Sequence, residues 1–265
     1  MRILCCGLRQ IDAGKTTFTS ALLQYLREHD YDVCPFKPRA GNDIWYDWPM
    51  VKKSLEKGTI YGHDVSVLSP LATKPIQKEI ISPTHRLWIP SNDDSGWKNV
   101  PQFLMDRINI GENQIVGINR TVDIPIEKKY FQKLFENSNM RDIKTRKDLQ
   151  EITSLYDEAD EWAHKKIRSH FENIVYESYT NVALPWEGID RIDWVFAIRP
   201  FQAKLYDGER FLQSYEINSG IGLEADTSQI IEPLKPQMII DIPPFRKNLS
   251  KNLQSYLKSY FKKIF

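Results

Sequence analysis

Hydrophobic and polar positions along this chain follow two periods, one typical of strands and one typical of helices. Residues 3–6 form a continuous apolar run that predicts a buried strand. A helical pattern follows, in which apolar residues recur every three or four positions: Phe18, Ala21, Leu22, Tyr25 and Leu26. The chain breaks at Gly7 between the two patterns, so it is expected to begin with a strand–loop–helix unit.

Strand and helix patterns continue to alternate after this unit. Strands are predicted at 32–36, 79–81, 86–89, 114–118, 173–176, 194–198 and 238–242, and helices at 50–57, 64–72 and from about Leu249. Loops are expected at 37–48 and 91–97, and a hairpin is predicted around Asp207-Gly208. The alternation predicts an α/β fold with a mainly parallel sheet and helices on both faces.

The segment 127–170 differs from the rest because its pattern is mainly helical. Its apolar stripe consists of Leu149, Ile152, Leu155 and Tyr156. We interpret it as a helical insertion or lid. At 265 residues the chain is long enough for one large domain or two small ones, and we expect a single domain that spans residues 1–265.

Composition and charge narrow the class of protein. An apolar content of 41% and a charged content of 27% are typical of soluble globular proteins. The 36 basic residues nearly balance the 35 acidic ones, which argues against a general surface for nucleic acid or membrane. No stretch is long and apolar enough for a bilayer span and no signal-peptide pattern is present, so a cytoplasmic protein is expected. The sequence is compatible with a homodimer as well as with a monomer.

The residues that carry chemistry stand at the end of the first loop. A helix N-terminus presents N–H groups and partial positive charge, and this suits a phosphate. Lys15 would reach the β- and γ-phosphates of a nucleotide, the Thr16 hydroxyl would bind Mg²⁺, and Gly14 lets the backbone approach closely. The predicted nucleotide-binding residues are Asp12, Ala13, Gly14, Lys15, Thr16 and Thr17.

The phosphate-loop pattern GxxxxGK(S/T) is met only in its second half. Arg9 stands where the first glycine belongs, and the nearest upstream glycine is Gly7, so the loop is longer than usual. Chance turn chemistry at the start of a helix is the alternative interpretation. A nucleotide site also needs a carboxylate for Mg²⁺, and Glu177 follows an apolar run at a strand end, where ligands of α/β sheets bind. A solvated strand end is the alternative for Glu177.

The stretch around Glu177 resembles the dethiobiotin synthetase motif in which a strand ends in Val-Glu-Gly-Ala-Gly-Gly and a proline follows. Glu177 and Pro185 match that glutamate and proline. Further segments are similar to the family in the same chain order: Lys37-Pro38, Gly62-His63-Asp64-Val65, Ile81-Ser82-Pro83 and Ile242-Pro243-Pro244-Phe245. The chain is thereby identified as a superfamily-level relative, a dethiobiotin synthetase-like P-loop NTPase.

The resemblance implies ATP and Mg²⁺ as cofactors. It implies that Asp64 binds the metal together with Thr16 and Glu177, and that Lys37 helps to hold a carbamate. It also implies that Pro243 and Pro244 lie beside the adenine. The alternative interpretation of Asp64 is an acidic residue at a helix N-terminus that the helix dipole stabilises. The alternative interpretation of Lys37 is an ordinary exposed lysine.

The chain also departs from the family. Gly7-Leu8-Arg9 replaces the beginning Gly-Thr-Asp, and the family's glycines after Glu177 are replaced by Ser178, Thr180 and Asn181. We therefore expect a paralogue that acts on another acceptor.

Other polar and aromatic residues are candidate ligand contacts, and for each of them a purely structural or surface role is about equally compatible with the sequence. Asp43, Trp45, Tyr46, Asp47 and Trp48 form a cluster that could bind an amine or a stacked base, or could be a loop that packs its rings into a core. Arg199 leaves a predicted strand and is a candidate nucleotide contact or a surface residue. His85-Arg86 is a further candidate near the site. The histidines share no zinc-ligand spacing, and the three cysteines fit core positions.

Two functions are compatible with this pattern. The first is an Mg²⁺–ATP-dependent enzyme that hydrolyses ATP or transfers its γ-phosphoryl group to a small carboxylate or carbamate, with Lys15 and Lys37 as catalytic residues. The alternative is a nucleotide-driven regulatory switch that acts on a protein partner, with the helices of 127–170 as its output. The expected partner of the enzyme is a small-molecule acceptor.

Overall fold

The computed structural model describes residues 1–90, 102–123, 126–218, 225–245 and 249–265. The strands are β1 (Arg2–Gly7), β2 (Val33–Phe36), β3 (Arg39–Asp43), β4 (Thr84–Trp88), β5 (Phe103–Ile110), β6 (Asn113–Asn119), β7 (Asn139–Ile143), β8 (Asn173–Glu177), β9 (Trp194–Arg199), β10 (Gln202–Asp207) and β11 (Met238–Asp241). The helices are α1 (Lys15–Glu28), α2 (Trp48–Leu55), α3 (His63–Leu68), α4 (Lys78–Ile81), α5 (Gln132–Glu136), α6 (Arg146–Thr153), α7 (Tyr156–Arg168), α8 (Gly208–Asn218), α9 (Thr227–Ile231) and α10 (Leu249–Phe261). Two short 3-10 turns occupy Ser69–Leu71 and Lys128–Phe131.

The chain forms two compact units. The first consists of Met1–Lys37, Val67–Ile76 and Ile167–Phe265, and the second of Pro38–Ser66 and Gln77–Lys166. Each unit has its own sheet, and both sheets contain parallel and antiparallel pairs. The α/β class is confirmed, but the prediction of one mainly parallel sheet is wrong. The single domain over 1–265 stays a prediction, because compact units of one chain can still fold as one domain.

The sheet of the first unit has the strand order β11-β10-β9-β1-β8-β2. β1 lies between β8 and β9 and is parallel to both, and β2 is parallel to β8. β10 is antiparallel to β9, and β11 is antiparallel to β10. The carboxyl ends of β1, β2, β8, β9 and β11 therefore meet at one edge of the sheet, which is where ligands of open α/β sheets bind.

The apolar run of β1 is fully buried because α1 packs on the sheet. Ile3, Leu4, Cys5 and Cys6 have no exposed surface, as expected for a central parallel strand. The predicted apolar face of α1 is buried as well, with Phe18 in contact with Phe196 of β9 and with Phe261 of α10. The strand–loop–helix prediction is confirmed.

The sheet of the second unit has the order β3-β4-β5-β6-β7. Its outer pairs β3–β4 and β6–β7 are parallel, and its inner pairs are antiparallel. One core contains Val51, Leu55, Leu87, Leu104 and Phe131, and another contains Phe103, Ile108, Ile143, Ile152 and Ala159. Residues 127–166 belong to this unit, and β7 interrupts the helical pattern predicted for 127–170.

Several local predictions are wrong. The predicted strand 79–81 is the short helix α4, and β3 lies within the predicted loop 37–48. Asp207-Gly208 does not form a hairpin, because Asp207 Oδ1 accepts a hydrogen bond from the Arg210 N–H and α8 begins there. The hairpin turn is Pro200-Phe201, between β9 and β10. The predicted loop 91–97 lies outside the described residues.

In the described part of the chain, no helix is long and apolar enough to cross a bilayer.

Candidate functional site

The loop between β1 and α1 ends with residues of positive φ. Asp12 has φ 55° and Gly14, which is the N-cap of α1, has φ 85°. Glycine adopts this conformation without strain. No side chain caps the helix, so its start concentrates N–H donors and partial positive charge at the loop.

Lys15 crosses from the start of α1 to the loop that follows β8. Its Nζ donates a hydrogen bond of 2.5 Å to the backbone oxygen of Thr180, whose own φ is 42°. A Cβ on Gly7 would lie 2.9 Å from this Nζ and 2.9 Å from the same Thr180 oxygen. Gly7 therefore provides the space in which Lys15 lies, although it is not at the position that the phosphate-loop pattern requires.

Thr16, Lys37 and Glu177 converge on one atom. Thr16 Oγ1 donates to Glu177 Oε1 at 2.8 Å, and Lys37 Nζ donates to the same oxygen at 2.7 Å. The structure thus brings together three residues that the sequence singled out. Lys37 is 3% exposed and Glu177 is 0% exposed, so the alternatives of an exposed lysine and a solvated strand end are both wrong.

The topology explains this meeting. Glu177 is the last residue of β8, Lys37 follows the last residue of β2, and Thr16 lies in the first turn of α1 after β1. Because β1 and β2 flank β8 in parallel, their carboxyl ends converge on Glu177.

In the described part of the chain, the hydrogen bonds of the Glu177 carboxylate involve only one of its two oxygens. Its Oε2 is buried and has no hydrogen-bond partner among the described residues. A buried carboxylate oxygen without a partner is costly, and a water or an ion that binds to it would offset this cost. The Glu177 carboxylate and the Thr16 hydroxyl are hard oxygen donors of the kind that Mg²⁺ prefers.

The set of donors also limits the kind of metal site. Among the described residues, no three His, Cys, Asp or Glu side chains cluster as metal ligands. Mg²⁺ that arrives with a triphosphate needs only one or two protein carboxylates, since phosphate oxygens and waters complete its coordination. The residues present therefore fit Mg²⁺ bound with a nucleotide, and they do not form an all-protein metal cage.

Asp64 occupies a different part of the fold. It is the second residue of α3 and lies in the second unit, whereas Thr16, Lys37 and Glu177 lie in the first. An acidic residue in the first turn of a helix is favoured by the helix dipole. The metal role of Asp64 stays a prediction.

Pro243 and Pro244 follow β11 and are exposed. The N–H of Ile242, just before them, donates a hydrogen bond of 2.7 Å to the backbone oxygen of Phe201 in the turn after β9. This part of the chain lies beside a cleft of about 480 Å³ lined by Arg9, Arg199, Pro200, Phe201, Gln202 and Asp241. Of these residues only Arg199 was a candidate contact from sequence, and Pro200, a common turn residue directly after a predicted strand, was the signal for a turn here.

The loop after β8 is held by Asn181, one of the three residues that stand where the dethiobiotin synthetase motif has glycines. Asn181 Nδ2 donates to Asp226 Oδ1 at 2.5 Å, and the N–H of Thr227 donates to the Asn181 backbone oxygen at 2.8 Å. The Asn181 side chain therefore makes a contact that a glycine at this position would lack.

The other candidates have separate places. Trp45 and Tyr46 are 75% and 79% exposed, so they are not core residues. His85 is buried and its Nε2 lies 2.7 Å from Asn42 Oδ1, and Arg86 makes a bidentate ion pair with Asp106. The three cysteines are buried and unbridged, as expected.

Comparison of the chain with protein-family models and with curated proteins finds no match. The resemblance to dethiobiotin synthetase thus stays an inference from the residues named above.

Proposed function

We propose that this protein is an Mg²⁺-dependent nucleotide enzyme that hydrolyses a nucleoside triphosphate or transfers its γ-phosphoryl group to a small carboxylate or carbamate. The observation that carries the proposal is the convergence of Thr16 and Lys37 on Glu177, next to a glycine-containing loop that ends in Lys15. The resemblance implies ATP as the nucleotide and a dethiobiotin synthetase-like P-loop fold.

In this proposal the loop and the start of α1 bind the phosphates. The backbone around Gly14 supplies N–H donors, and Lys15 supplies a positive charge. Lys15 now donates to a neutral carbonyl oxygen of Thr180. A phosphate oxygen is a stronger acceptor because it is charged, so the ammonium exchanges Thr180 for the β- and γ-phosphates when nucleotide binds.

Thr16 and Glu177 would hold Mg²⁺, directly or through water. The metal supplies neutralisation of charge on the β- and γ-phosphates. Glu177 offers the buried Oε2, while its Oε1 keeps Thr16 and Lys37 in place. The two hydrogen bonds to Oε1 fix the positions of Thr16 and Lys37, and such preorganised polar groups are the main source of catalysis in phosphoryl transfer.

Lys37 would orient the acceptor. Its ammonium is buried beside Glu177 and carries the positive charge that a carboxylate or carbamate would need close to the γ-phosphate. The ion pair with Glu177 fixes the position of this charge before the acceptor arrives.

Phosphate release from Mg²⁺–ATP and, in parallel, from Mg²⁺–GTP tests the proposal, and the faster substrate is used to compare the variants. The wild type should release phosphate in the presence of Mg²⁺ and stop when EDTA removes the metal. Lys15→Met should lower the rate at least about tenfold, because it removes the charge that faces the developing negative charge. Lys258→Met, which alters an exposed lysine of α10, is the matched control and should keep the wild-type rate. Equal rates in the two variants would refute the assignment.

A further inference from the structure

The cleft at the carboxyl ends of β9 and β11 has one wall from the phosphate-binding loop. Arg9 belongs to the loop after β1, Arg199 ends β9, and Asp241 ends β11. A molecule in this cleft of about 480 Å³ would lie at the sheet edge at which α1 also begins. The cleft therefore borders the same β1–α1 loop that ends at Gly14.

Phe201 is the least expected residue of this cleft. It lies in the two-residue turn between β9 and β10 with φ 68°, a conformation that favours glycine or asparagine. Its backbone oxygen accepts the hydrogen bond from Ile242, which holds the turn in place. The ring is 65% exposed, so burial does not compensate for the strain. Strained residues of this kind concentrate at ligand sites.

The polar wall of the cleft is a chain of hydrogen bonds. Arg199 Nη2 donates to Gln202 Oε1 at 2.8 Å, and Gln202 Nε2 donates to Asp241 Oδ1 at 2.9 Å. Both ends of the Gln202 amide are engaged, and its bond to Oδ1 holds one oxygen of the Asp241 carboxylate. A carboxylate has about four lone-pair sites, and Asp241 therefore keeps acceptor capacity beyond the bond from Gln202.

We propose that this cleft holds the base of the nucleotide and that Asp241 selects guanine over adenine. The inference rests on the proposed function. Guanine carries two adjacent donors, N1–H and the 2-amino group, which match the two oxygens of a carboxylate. Adenine places the N1 lone pair at that point, where it faces the negative charge of Asp241. A guanidinium such as that of Arg199 complements guanine O6, which is an acceptor.

The aromatic ring of Phe201 and the guanidinium of Arg9 supply planar groups for the faces of the base. Bases stack on aromatic rings and on arginine, and such stacking has no strong preference among bases. Phe201 thus contributes affinity, and the carboxylate of Asp241 contributes selectivity. The resemblance implies adenine at this end of the molecule, and the polar groups of the cleft favour guanine.

The first test compares the binding of non-hydrolysable GTP and ATP analogues to the full chain with Mg²⁺. The wild type should bind the GTP analogue at least about tenfold more tightly, since a polar site rejects a base that leaves its groups unpaired. Asp241→Asn replaces an acceptor by a donor and should reverse the preference towards xanthosine triphosphate, whose C2 carries a carbonyl oxygen in place of the amino group. Equal or tighter binding of the ATP analogue, or an unaltered order of affinities in Asp241→Asn, would overturn the inference.

The second test uses Phe201→Gly. Glycine adopts the positive φ without strain, so the melting temperature should not fall. Loss of the stacked ring should weaken the GTP analogue about tenfold. Ile239→Ala, which truncates an exposed apolar side chain of β11 outside the cleft lining, should bind like the wild type. Unchanged affinity in Phe201→Gly would contradict the stacking role.

The two proposals fail in different ways. If the wild type binds no triphosphate at all, the proposed function is wrong and the base preference falls with it. If it binds triphosphates through Lys15 but without preference for guanine, only the inference about the cleft is wrong.

Discussion

Lys37 and Glu177 form a buried ion pair, with 2.7 Å between Lys37 Nζ and Glu177 Oε1. The two residues are separated by 139 intervening positions in sequence. They lie at the carboxyl ends of neighbouring parallel strands, since Lys37 directly follows β2 and Glu177 ends β8. Taking two charges out of water is costly, and their attraction offsets this only while both are present. The stability of the fold therefore depends on keeping both charges, and the same pair is a candidate part of the catalytic site.

Removal of one partner should therefore destabilise the protein more than removal of both. Lys37→Met leaves the Glu177 carboxylate buried beside an apolar chain and should lower the free energy of unfolding by about 3 to 5 kcal/mol. The double variant Lys37→Met/Glu177→Gln removes both charges and should recover most of the loss. Urea denaturation measures the free energy of unfolding of both variants. If Lys37→Met were as stable as the wild type, the buried ion pair would not contribute to stability as argued.

The Thr16 hydroxyl should be needed for metal-dependent binding. Thr16→Val keeps the shape of the side chain but removes the oxygen that contacts Glu177, so Mg²⁺ should no longer strengthen nucleotide binding. Thr16→Ser retains the hydroxyl and is the matched control. Nucleotide titrations with Mg²⁺ and with EDTA give the comparison, and an equal Mg²⁺ effect in all three proteins would rule out the metal role.

Asp160 should make stability depend on pH. Burial raises the pKa of this carboxyl to about 7, although Arg39 Nε donates to it at 3.0 Å and opposes the increase. The unfolded chain has a pKa near 4, so the folded state binds more protons between about pH 4 and pH 7. This contribution to stability is therefore lost as the pH rises through that window.

The measurement is the denaturation midpoint of the wild type and of Asp160→Asn at both ends of that window. Asparagine stays neutral and can still accept from Arg39, so the variant should lose less stability as the pH rises. The difference should reach roughly 4 kcal/mol at most, because a tenfold change in proton affinity corresponds to about 1.4 kcal/mol. Parallel pH profiles would show that Asp160 does not titrate in this window.

The strand ends at which Lys37 and Glu177 meet were predicted from the sequence better than the fold of the second unit. The strand ends at Glu177 and Lys37 could be predicted because parallel strands buried on both faces give continuous apolar runs. In contrast, β7 has four exposed residues, Asn139–Asp142, and shows no apolar pattern. It forms because its backbone pairs with β6, and this pairing depends on tertiary structure.

The positions of turns were predicted least reliably from the sequence. Asp207-Gly208 matches a hairpin turn, but the same aspartate caps α8, since aspartate is favoured in both places. Phe201 has the positive φ that a hairpin turn often requires, although its residue type argues against it. A strained residue of this kind cannot be identified from one sequence, because the neighbouring strands impose its conformation.

The protein should not produce dethiobiotin. Ser178, Thr180 and Asn181 stand where the dethiobiotin synthetase motif has glycines. They belong to the loop that Lys15 contacts, and the Asn181 side chain donates a hydrogen bond to Asp226. A displacement of about 1 Å in a reacting group can lower the rate about a hundredfold. We therefore expect no dethiobiotin from diaminopelargonate, ATP and bicarbonate. Robust product formation that Lys37→Met abolishes would make the chain a working synthetase.

Lys15 and the start of α1 are expected to bind a nucleoside triphosphate. Isothermal titration calorimetry of the wild type, Lys15→Met and Lys258→Met with Mg²⁺ and non-hydrolysable triphosphates measures this most directly. The wild type and Lys258→Met should bind with one site per chain, and Lys15→Met should bind at least about tenfold more weakly, which corresponds to about 1.4 kcal/mol or more. Absence of binding by the wild type, or equal affinity in all three proteins, would contradict the claim.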